Sequence, residues 1–281
     1  MLRNRAVHAS PALTRLLRAA RYEVIPTATI EEKVLAAVPT EVTITVTASP
    51  VKGLEPTVAL AERLRSAGYR VVPHVAARLL RDRAHLAEIV ERLRAAGIDE
   101  IFMPAGDADP PAGEWDAALP ALAALSSMGS PFREVGITGY PESHPSIDDD
   151  VTVQAMWDKR AHATQVVSNL CFDPTAIAGW VKRIRRRGVT LPVLVGVAGP
   201  VERTKLLSMA TKVGVGESTR FLADHASWFA RLASPGYSPE RLVARVAREV
   251  GDPQYAVSGL HVFTFNQVAE TEAWRRALLD G

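Results

Sequence analysis

A helix–glycine–strand unit recurs along the chain and restricts the fold more than any other feature. A charged amphipathic helix at residues 62–67 is followed by Gly68 and an apolar segment at 69–74, and residues 91–104 repeat this order around Gly97. A looser third copy surrounds Gly188. Glycine at this position adopts the left-handed conformation that ends a helix without a Cβ clash. Repeated units of this kind predict parallel strands connected by crossover helices.

Counting these units predicts a (β/α)₈ barrel. Strands are predicted near residues 21–25, 41–47, 70–75, 100–104, 134–139, 165–171, 192–197 and 259–264. Helices are predicted near residues 30–38, 56–67, 83–96, 115–127, 150–162, 174–187, 201–212, 217–231, 238–249 and 267–279. Eight strand–helix units are the number that closes a barrel, with an open doubly wound sheet as the alternative. We expect one domain over residues 1–281, with an N-terminal helical extension at about residues 1–20.

Composition excludes several classes of function. The 33 Lys and Arg residues nearly balance the 31 Asp and Glu residues, so no broad basic surface for nucleic acid or membrane is expected. No apolar run approaches the ~20 residues of a membrane-spanning helix. Cys171 is the single cysteine, which excludes an intrachain disulfide framework and favours a cytoplasmic location. A monomer is our working expectation.

Glu23 is the most informative candidate residue, because it lies in an apolar strand just before Pro26, where the strand must stop. The active site of such a barrel lies at the carboxyl ends of its strands. Burial of an unpaired carboxylate is costly, so its presence there favours a chemical role. The alternative is a structural ion pair between Glu23 and a barrel arginine.

Other polar residues are expected at the same end of the barrel. They are Thr45, Thr47, His74, Asp107, Tyr140, His144, Ser168, Asn169, Thr264 and Asn266. His74 could instead be a packing histidine, His144 could stabilise its own loop, and Asp107 could cap an Asx turn. Cys171 is expected to be inert core. No nucleophile–base pair is evident, and no histidine pair has the spacing of a zinc site, so we predict no metal centre.

Six short motifs, in order along the chain, resemble those of the methylenetetrahydrofolate reductase family. Residues 22–26 resemble its Phe-Glu-Phe-Phe-Pro opening, and residues 71–74 its third-strand Pro-His. Residues 106–111 resemble its Arg-Gly-Asp-x-Pro-Pro from the glycine onward, and residues 139–145 are similar to its most specific motif, Tyr-Pro-Glu-x-His-Pro. Residues 168–173 and 260–266 are similar to its Thr-Gln-Phe-Phe-Phe-Asp and its eighth strand ending in Thr-Leu-Asn.

The resemblance implies a (β/α)₈ barrel that reduces the methylene group of 5,10-methylenetetrahydrofolate to methyl. It places the general acid of that family on Glu23, screened by Tyr22 and a bound pterin. Asp107 matches the aspartate that contacts the pterin ring. Asn169 matches a folate-binding glutamine and is one methylene shorter, but it still donates and accepts hydrogen bonds.

Departures from the family pattern disfavour FAD binding. Ala105 stands where flavin-dependent members carry an arginine, and in the helix after the fifth strand only Lys159 matches their flavin-contacting residues. Loss of arginine removes a bidentate partner for phosphate or ring oxygens. This pattern is similar to a small actinobacterial branch that passes hydride directly from NADH to folate.

On that resemblance, the expected neighbours of NADH or NADPH are Thr45, His74, Tyr140, His144 and Lys159. Two alternatives stay open: a FAD-dependent reductase of the same family, and a non-catalytic barrel that binds folate or docks a partner.

Overall fold

Eight parallel strands form a closed barrel in the computed structural model, which describes residues 10–142, 149–201 and 238–280. The strands are β1 Arg21–Val24, β2 Thr43–Val46, β3 Val71–Pro73, β4 Glu100–Phe102, β5 Glu134–Gly139, β6 Gln165–Ser168, β7 Val193–Ala198 and β8 Val257–Phe263. Their order around the sheet is β3-β2-β1-β8-β7-β6-β5-β4.

The seam between β3 and β4 closes the barrel. His74 forms a parallel bridge with Phe102, and the Val75 amide donates to the Phe102 carbonyl at 2.8 Å. This closure confirms the barrel and excludes the open doubly wound sheet. The prediction succeeded because the repeated unit fixes a parallel crossover each time it occurs.

Helices surround the barrel at the positions that the sequence predicts within the described ranges. They are α1 Pro11–Arg18, α2 Ile30–Ala37, α3 Glu55–Ser66, α4 Arg83–Ala95, α5 Ala118–Ser127, α6 Asp149–Lys159, α7 Pro174–Arg186, α8 Pro239–Val250 and α9 Val268–Asp280. The helices predicted at 201–212 and 217–231 lie outside the described residues. Short 3₁₀ turns occur at Ala77–Leu79, Arg160–His162 and Pro253–Tyr255.

The three repeated units end their helices in the same way. Gly68, Gly97 and Gly188 have φ of 95°, 73° and 82°. In each unit, the amide of the residue after the glycine donates to a carbonyl five residues earlier, at 3.2, 2.9 and 3.0 Å. This is the Schellman arrangement, which turns the chain from the helix into the next strand.

Side chains inside the barrel form layers, because alternate residues of each strand point inward. The first residues of three strands make a polar base: Arg21 pairs with Glu100, and the Gln165 amide donates to Glu100 at 2.6 Å. An apolar layer of Val72, Phe102, Val167 and Leu194 lies above the base. The polar residues described next lie above that layer, towards the carboxyl ends of the strands.

Helix α1 covers the amino-terminal end of the barrel, as expected for a helix leading into the first strand. The Arg15 guanidinium donates to the carbonyls of Gly251 and Val257 at 2.7 and 2.8 Å. A Cβ on Gly259 would lie 2.5 Å from the Ala19 carbonyl oxygen, so β8 approaches the end of α1 closely. The remainder of the expected N-terminal extension, residues 1–9, lies outside the described ranges.

Candidate active site

Glu23 and His261 form a hydrogen-bonded pair inside the barrel near its carboxyl-terminal end. Strands β1 and β8 are parallel neighbours, with Arg21 in register with His261 and Glu23 in register with Phe263. The His261 Nε2 and Glu23 Oε2 atoms lie 2.9 Å apart. The Glu23 side chain is 15% exposed and that of His261 is 3% exposed. The pair is therefore nearly dry but accessible on the carboxylate side.

His74 lies next to this pair. Its ring meets Phe102 edge-on at 4.7 Å between centroids and stacks with the His261 ring at 6.1 Å. The pKa of His74 is lowered to about 4, chiefly by burial; the charge of Glu23 acts in the opposite direction, and His261 adds a smaller lowering effect. His74 is therefore a neutral imidazole at neutral pH. Its Nε2 atom has no hydrogen-bond partner among the described residues.

Thr45 completes this group from β2. It is in register with Glu23 on the neighbouring strand, so the two side chains point to the same side of the sheet. Thr45 is buried, and within the described part of the chain its hydroxyl oxygen has no hydrogen-bond partner. Three of the sequence-predicted residues, Glu23, Thr45 and His74, are thus brought together.

The barrel arginine that could have paired with Glu23 pairs elsewhere. Arg21 lies two residues earlier on β1 and contacts Glu100 and Glu134 at the base of the barrel. Tyr22, expected to screen Glu23, points to the opposite side of the strand, where its hydroxyl donates to Glu272 at 2.8 Å. That expectation was wrong because adjacent strand residues face opposite sides of a sheet.

Two residues after β8 fix the backbone around Glu23. The Thr264 hydroxyl donates to the Glu23 carbonyl at 2.6 Å. Asn266 accepts from the Ile25 amide at 2.8 Å and donates to the Ile25 carbonyl at 3.0 Å. These two polar residues therefore act as positioning residues that join the ends of β1 and β8.

Asp107, Tyr140 and Asn169 form a second group at the ends of β4, β5 and β6. Burial raises the pKa of the Tyr140 phenol, and the nearby charge of Asp107 raises it further. The backbone amide of Asn169 donates to the Gly139 carbonyl at 2.7 Å, which places Asn169 beside the end of β5. The Asn169 side-chain oxygen accepts from the Leu170 amide at 2.8 Å. Asp107 itself is exposed.

The structure does not bring Lys159 to the Glu23 group. Lys159 is the last residue of α6, and burial lowers its pKa. Near it, Trp157 lies 3.4 Å from a Cβ built on Gly188, and His162 bonds Ser126 at 2.8 Å. Those contacts are with the carboxyl ends of α7 and α5. His144 lies outside the described residues.

Comparison with known protein families assigns the chain to a family. The family model described as methylenetetrahydrofolate reductase matches residues 28–273, which is most of the chain. The chain belongs to the methylenetetrahydrofolate reductase family. The family resemblance is thereby confirmed, and the protein is an oxidoreductase of folate metabolism. The matched range begins after Glu23, so the role of Glu23 depends on its own motif and geometry.

Solved structures similar to this reductase-family chain show the same fold. An oxaloacetate acetylhydrolase matches with a TM-score of 0.54 and 11% identity, over 96% of this chain and 85% of that one. A 2,3-dimethylmalate lyase of the PEP mutase/isocitrate lyase superfamily matches with a TM-score of 0.54 and 12% identity, over 96% and 83%. A phosphonomutase described as putative, from Burkholderia cenocepacia, matches with a TM-score of 0.52 and 13% identity, over 96% and 97%. At such identities the likeness concerns the barrel alone.

His261 is the site residue that the sequence prediction missed. It falls inside residues 260–266, which resemble a motif of the methylenetetrahydrofolate reductase family, but the sequence points only to Thr264 and Asn266 as polar candidates there. The available signal was a histidine flanked by Leu260 and Val262, both fully buried. A polar residue alternating with buried apolar ones on a barrel strand points into the barrel.

No helix in the described part of this reductase-family chain has the length and apolar character needed to cross a bilayer.

Proposed function

We propose that the protein reduces 5,10-methylenetetrahydrofolate to 5-methyltetrahydrofolate with hydride taken directly from NADH or NADPH, without flavin. The observation that carries this proposal is the Glu23–His261 pair near the carboxyl ends of the strands, at 2.9 Å. Family membership supports the folate chemistry. The pair adds a proton donor in the place where a barrel enzyme performs its reaction.

Glu23 acts as the general acid in this proposal. Its proton moves to a nitrogen of the imidazolidine ring as the bond from that nitrogen to the methylene carbon breaks, which leaves an iminium. The iminium carbon then accepts hydride from the nicotinamide, giving the methyl group and the oxidised cofactor. His261 holds the carboxyl group in place through Nε2, and the clamp from Thr264 and Asn266 fixes the backbone beneath it.

His74 and Thr45 contact the nicotinamide in this proposal. Because the oxidised nicotinamide ring is a cation, a protonated histidine beside it would repel the product. A His74 pKa of about 4 keeps the imidazole neutral and avoids that repulsion. Tyr140, His144 and Lys159 remain proposed cofactor neighbours, and Lys159 is the least supported because the contacts near it are with the ends of α5 and α7.

Asp107 and Asn169 contact the pterin in this proposal, from the ends of β4 and β6. The loop that carries Asp107 is held by Arg78, whose guanidinium donates to the Ala108 and Asp116 carbonyls at 2.6 and 3.1 Å. This guanidinium is therefore committed to the loop and does not replace the arginine lost at Ala105. That commitment supports hydride transfer without flavin.

The first experiment is Glu23→Gln, assayed by NADH oxidation with 5,10-methylenetetrahydrofolate. Glutamine keeps the shape and still accepts a hydrogen bond from His261, but it delivers no proton. We expect turnover to fall by about 10²-fold or more, the usual contribution of a general acid. Glu32→Gln, on an exposed position of α2, is the matched control and should retain full activity. A Glu23→Gln enzyme with wild-type turnover would refute the assignment.

The second experiment tests direct transfer with NADH deuterated at the transferring position. Direct transfer places the deuterium in the methyl group of the product. A flavin intermediate would hold the deuterium on an exchangeable nitrogen and lose it to water, so an unlabelled methyl group, together with flavin absorbance, would favour the FAD-dependent alternative. Folate binding without any turnover would favour the non-catalytic barrel.

A further inference from the structure

Three residues that could coordinate a metal ion meet inside the barrel. Glu23 of β1, His74 directly after β3 and His261 of β8 each offer one ligand atom, and these atoms all lie within 4.8 Å of one another. The sequence predicts no metal site because these residues are far apart along the chain. Only barrel closure brings their strands to one place.

His74 has an unused ring nitrogen, and His261 reaches Glu23 through Nε2. His74 is 7% exposed and His261 is 2% exposed. The His74 Nε2 and His261 Nδ1 atoms are buried without a hydrogen-bond partner in the described ranges. Buried polar atoms are normally satisfied, so the unpartnered Nε2 atom of His74, a member of this cluster, favours a ligand here. Neutral imidazole nitrogen is also the form that binds a metal.

We infer that Glu23, His74 and His261 bind one late first-row divalent ion, for which Zn²⁺ is the probe. Two nitrogen ligands and one carboxylate favour such ions, whereas Mg²⁺ and Ca²⁺ prefer oxygen ligands. Three protein ligands with one open position are also the usual composition of a reactive zinc site. The partial exposure of Glu23 gives the ion access.

The geometry requires an adjustment of the side chains. Ligand atoms bound tetrahedrally at roughly 2.0–2.2 Å from zinc lie about 3.3–3.6 Å apart, so a pair at the 4.8 Å limit must move together by roughly 1 Å. Side-chain rotation of Glu23, which is the most exposed of the three, can supply that movement. Zinc binding does not depend on the proposed function. If the proposed function holds, zinc occupies the carboxylate that must carry the proton and therefore inhibits turnover.

The test begins with protein treated with a chelator and then freed of it, titrated with Zn²⁺ in a calorimeter without folate or nucleotide. We expect one zinc per chain. His74→Gln and Glu23→Gln should each weaken binding by about 100-fold or more, because loss of an outer-shell partner alone costs roughly 10–100-fold. His85→Gln, which removes an imidazole from α4, is the matched control and should bind zinc like the wild type. Circular dichroism confirms that each variant is folded.

Co²⁺ gives a second readout, since bound Co²⁺ in a low-coordinate nitrogen and oxygen site develops visible d–d absorption. That absorption should appear in the wild type and in His85→Gln and be absent in Glu23→Gln. No zinc binding by the wild type, or tight binding that survives both His74→Gln and Glu23→Gln, would overturn the inference.

The effect on turnover separates this inference from the proposed function. Folate reduction by the chelator-treated wild type tests the proposed function alone, whereas the calorimetric titration tests zinc binding alone. Zinc added to an active enzyme should lower turnover, and excess chelator should restore it. Unchanged or faster turnover with the site saturated by zinc would show that zinc does not compete with the proton for Glu23.

Discussion

Asn266 provides the most quantitative test of how the barrel holds Glu23. Its side chain makes three hydrogen bonds: from the Ile25 amide at 2.8 Å, to the Ile25 carbonyl at 3.0 Å and to the Thr27 hydroxyl at 3.3 Å. Asn266 is 9% exposed and has φ of 59°. The residue therefore has two separable roles, as a clamp and as a carrier of a left-handed turn.

Asn266→Ala should remove both contributions. A net value of roughly 1 kcal/mol for each hydrogen bond gives about 3 kcal/mol for the three. A non-glycine residue without a local side-chain hydrogen bond in the left-handed region adds roughly 1–2 kcal/mol. The expected loss in the free energy of unfolding is thus about 4–5 kcal/mol, a large fraction of the stability of a typical domain.

Asn266→Gly is the matched control, because it loses the same hydrogen bonds but tolerates the positive φ. Its loss should be about 1 kcal/mol smaller than that of Asn266→Ala, since strain then makes no contribution. Urea unfolding monitored by circular dichroism measures both losses. The clamp also fixes Ile25, two residues after Glu23, so kcat should fall in both variants. The reasoning is refuted if Asn266→Gly is as stable as the wild type, since the hydrogen bonds would then contribute nothing.

Two further predictions concern other polar groups in the barrel. Because the folded-state pKa of His74 is about 4 against an unfolded value of 6.5, the unfolded chain binds the extra proton between these pH values. The free energy of unfolding should therefore fall by roughly 3 kcal/mol as pH drops from 6.5 to 4. The variant His74→Gln, measured in the presence of a chelator, should lack this component of the pH dependence. If the wild type and His74→Gln lose stability equally over this pH range, the pKa assigned to His74 is wrong. At the barrel base, Glu100→Gln should lower the free energy of unfolding by about 3 kcal/mol or more, because Arg21 loses its buried partner. The double variant Arg21→Met/Glu100→Met should lose less than the sum of its single variants, and additive losses would show that the pair is not coupled.

Most of the barrel could be predicted from local sequence. The strand positions followed from short apolar segments, and the helix ends followed from glycines such as Gly97, whose left-handed conformation is a local property. The described strand ranges lie close to the predicted ones, although β6 ends at Ser168 rather than at Cys171. Hydrogen bonding across the sheet sets the end of a strand, and one sequence does not contain that information.

The candidate site was only partly predictable. Glu23, Thr45 and His74 were identified because each stands at the end of its own strand, where barrel enzymes carry their chemistry. His261 was missed because it lies within β8 rather than at its end, and the stagger of the strands brings it level with Glu23. Strand stagger is a property of the closed barrel and is not encoded in any one segment.

The sequence by itself determined the strand–helix repeat, the family resemblance and the position of a carboxylate near the end of the first strand, because all three depend on residues close together in the chain. The tertiary structure decided which groups that carboxylate meets. Arg21, two residues away on the same strand, pairs with Glu100 at the base, whereas Glu23 pairs with His261 near the opposite end. The physical reason is that barrel closure fixes distances between residues on different strands, and those distances decide whether a side chain forms an ion pair, holds a proton or binds a metal.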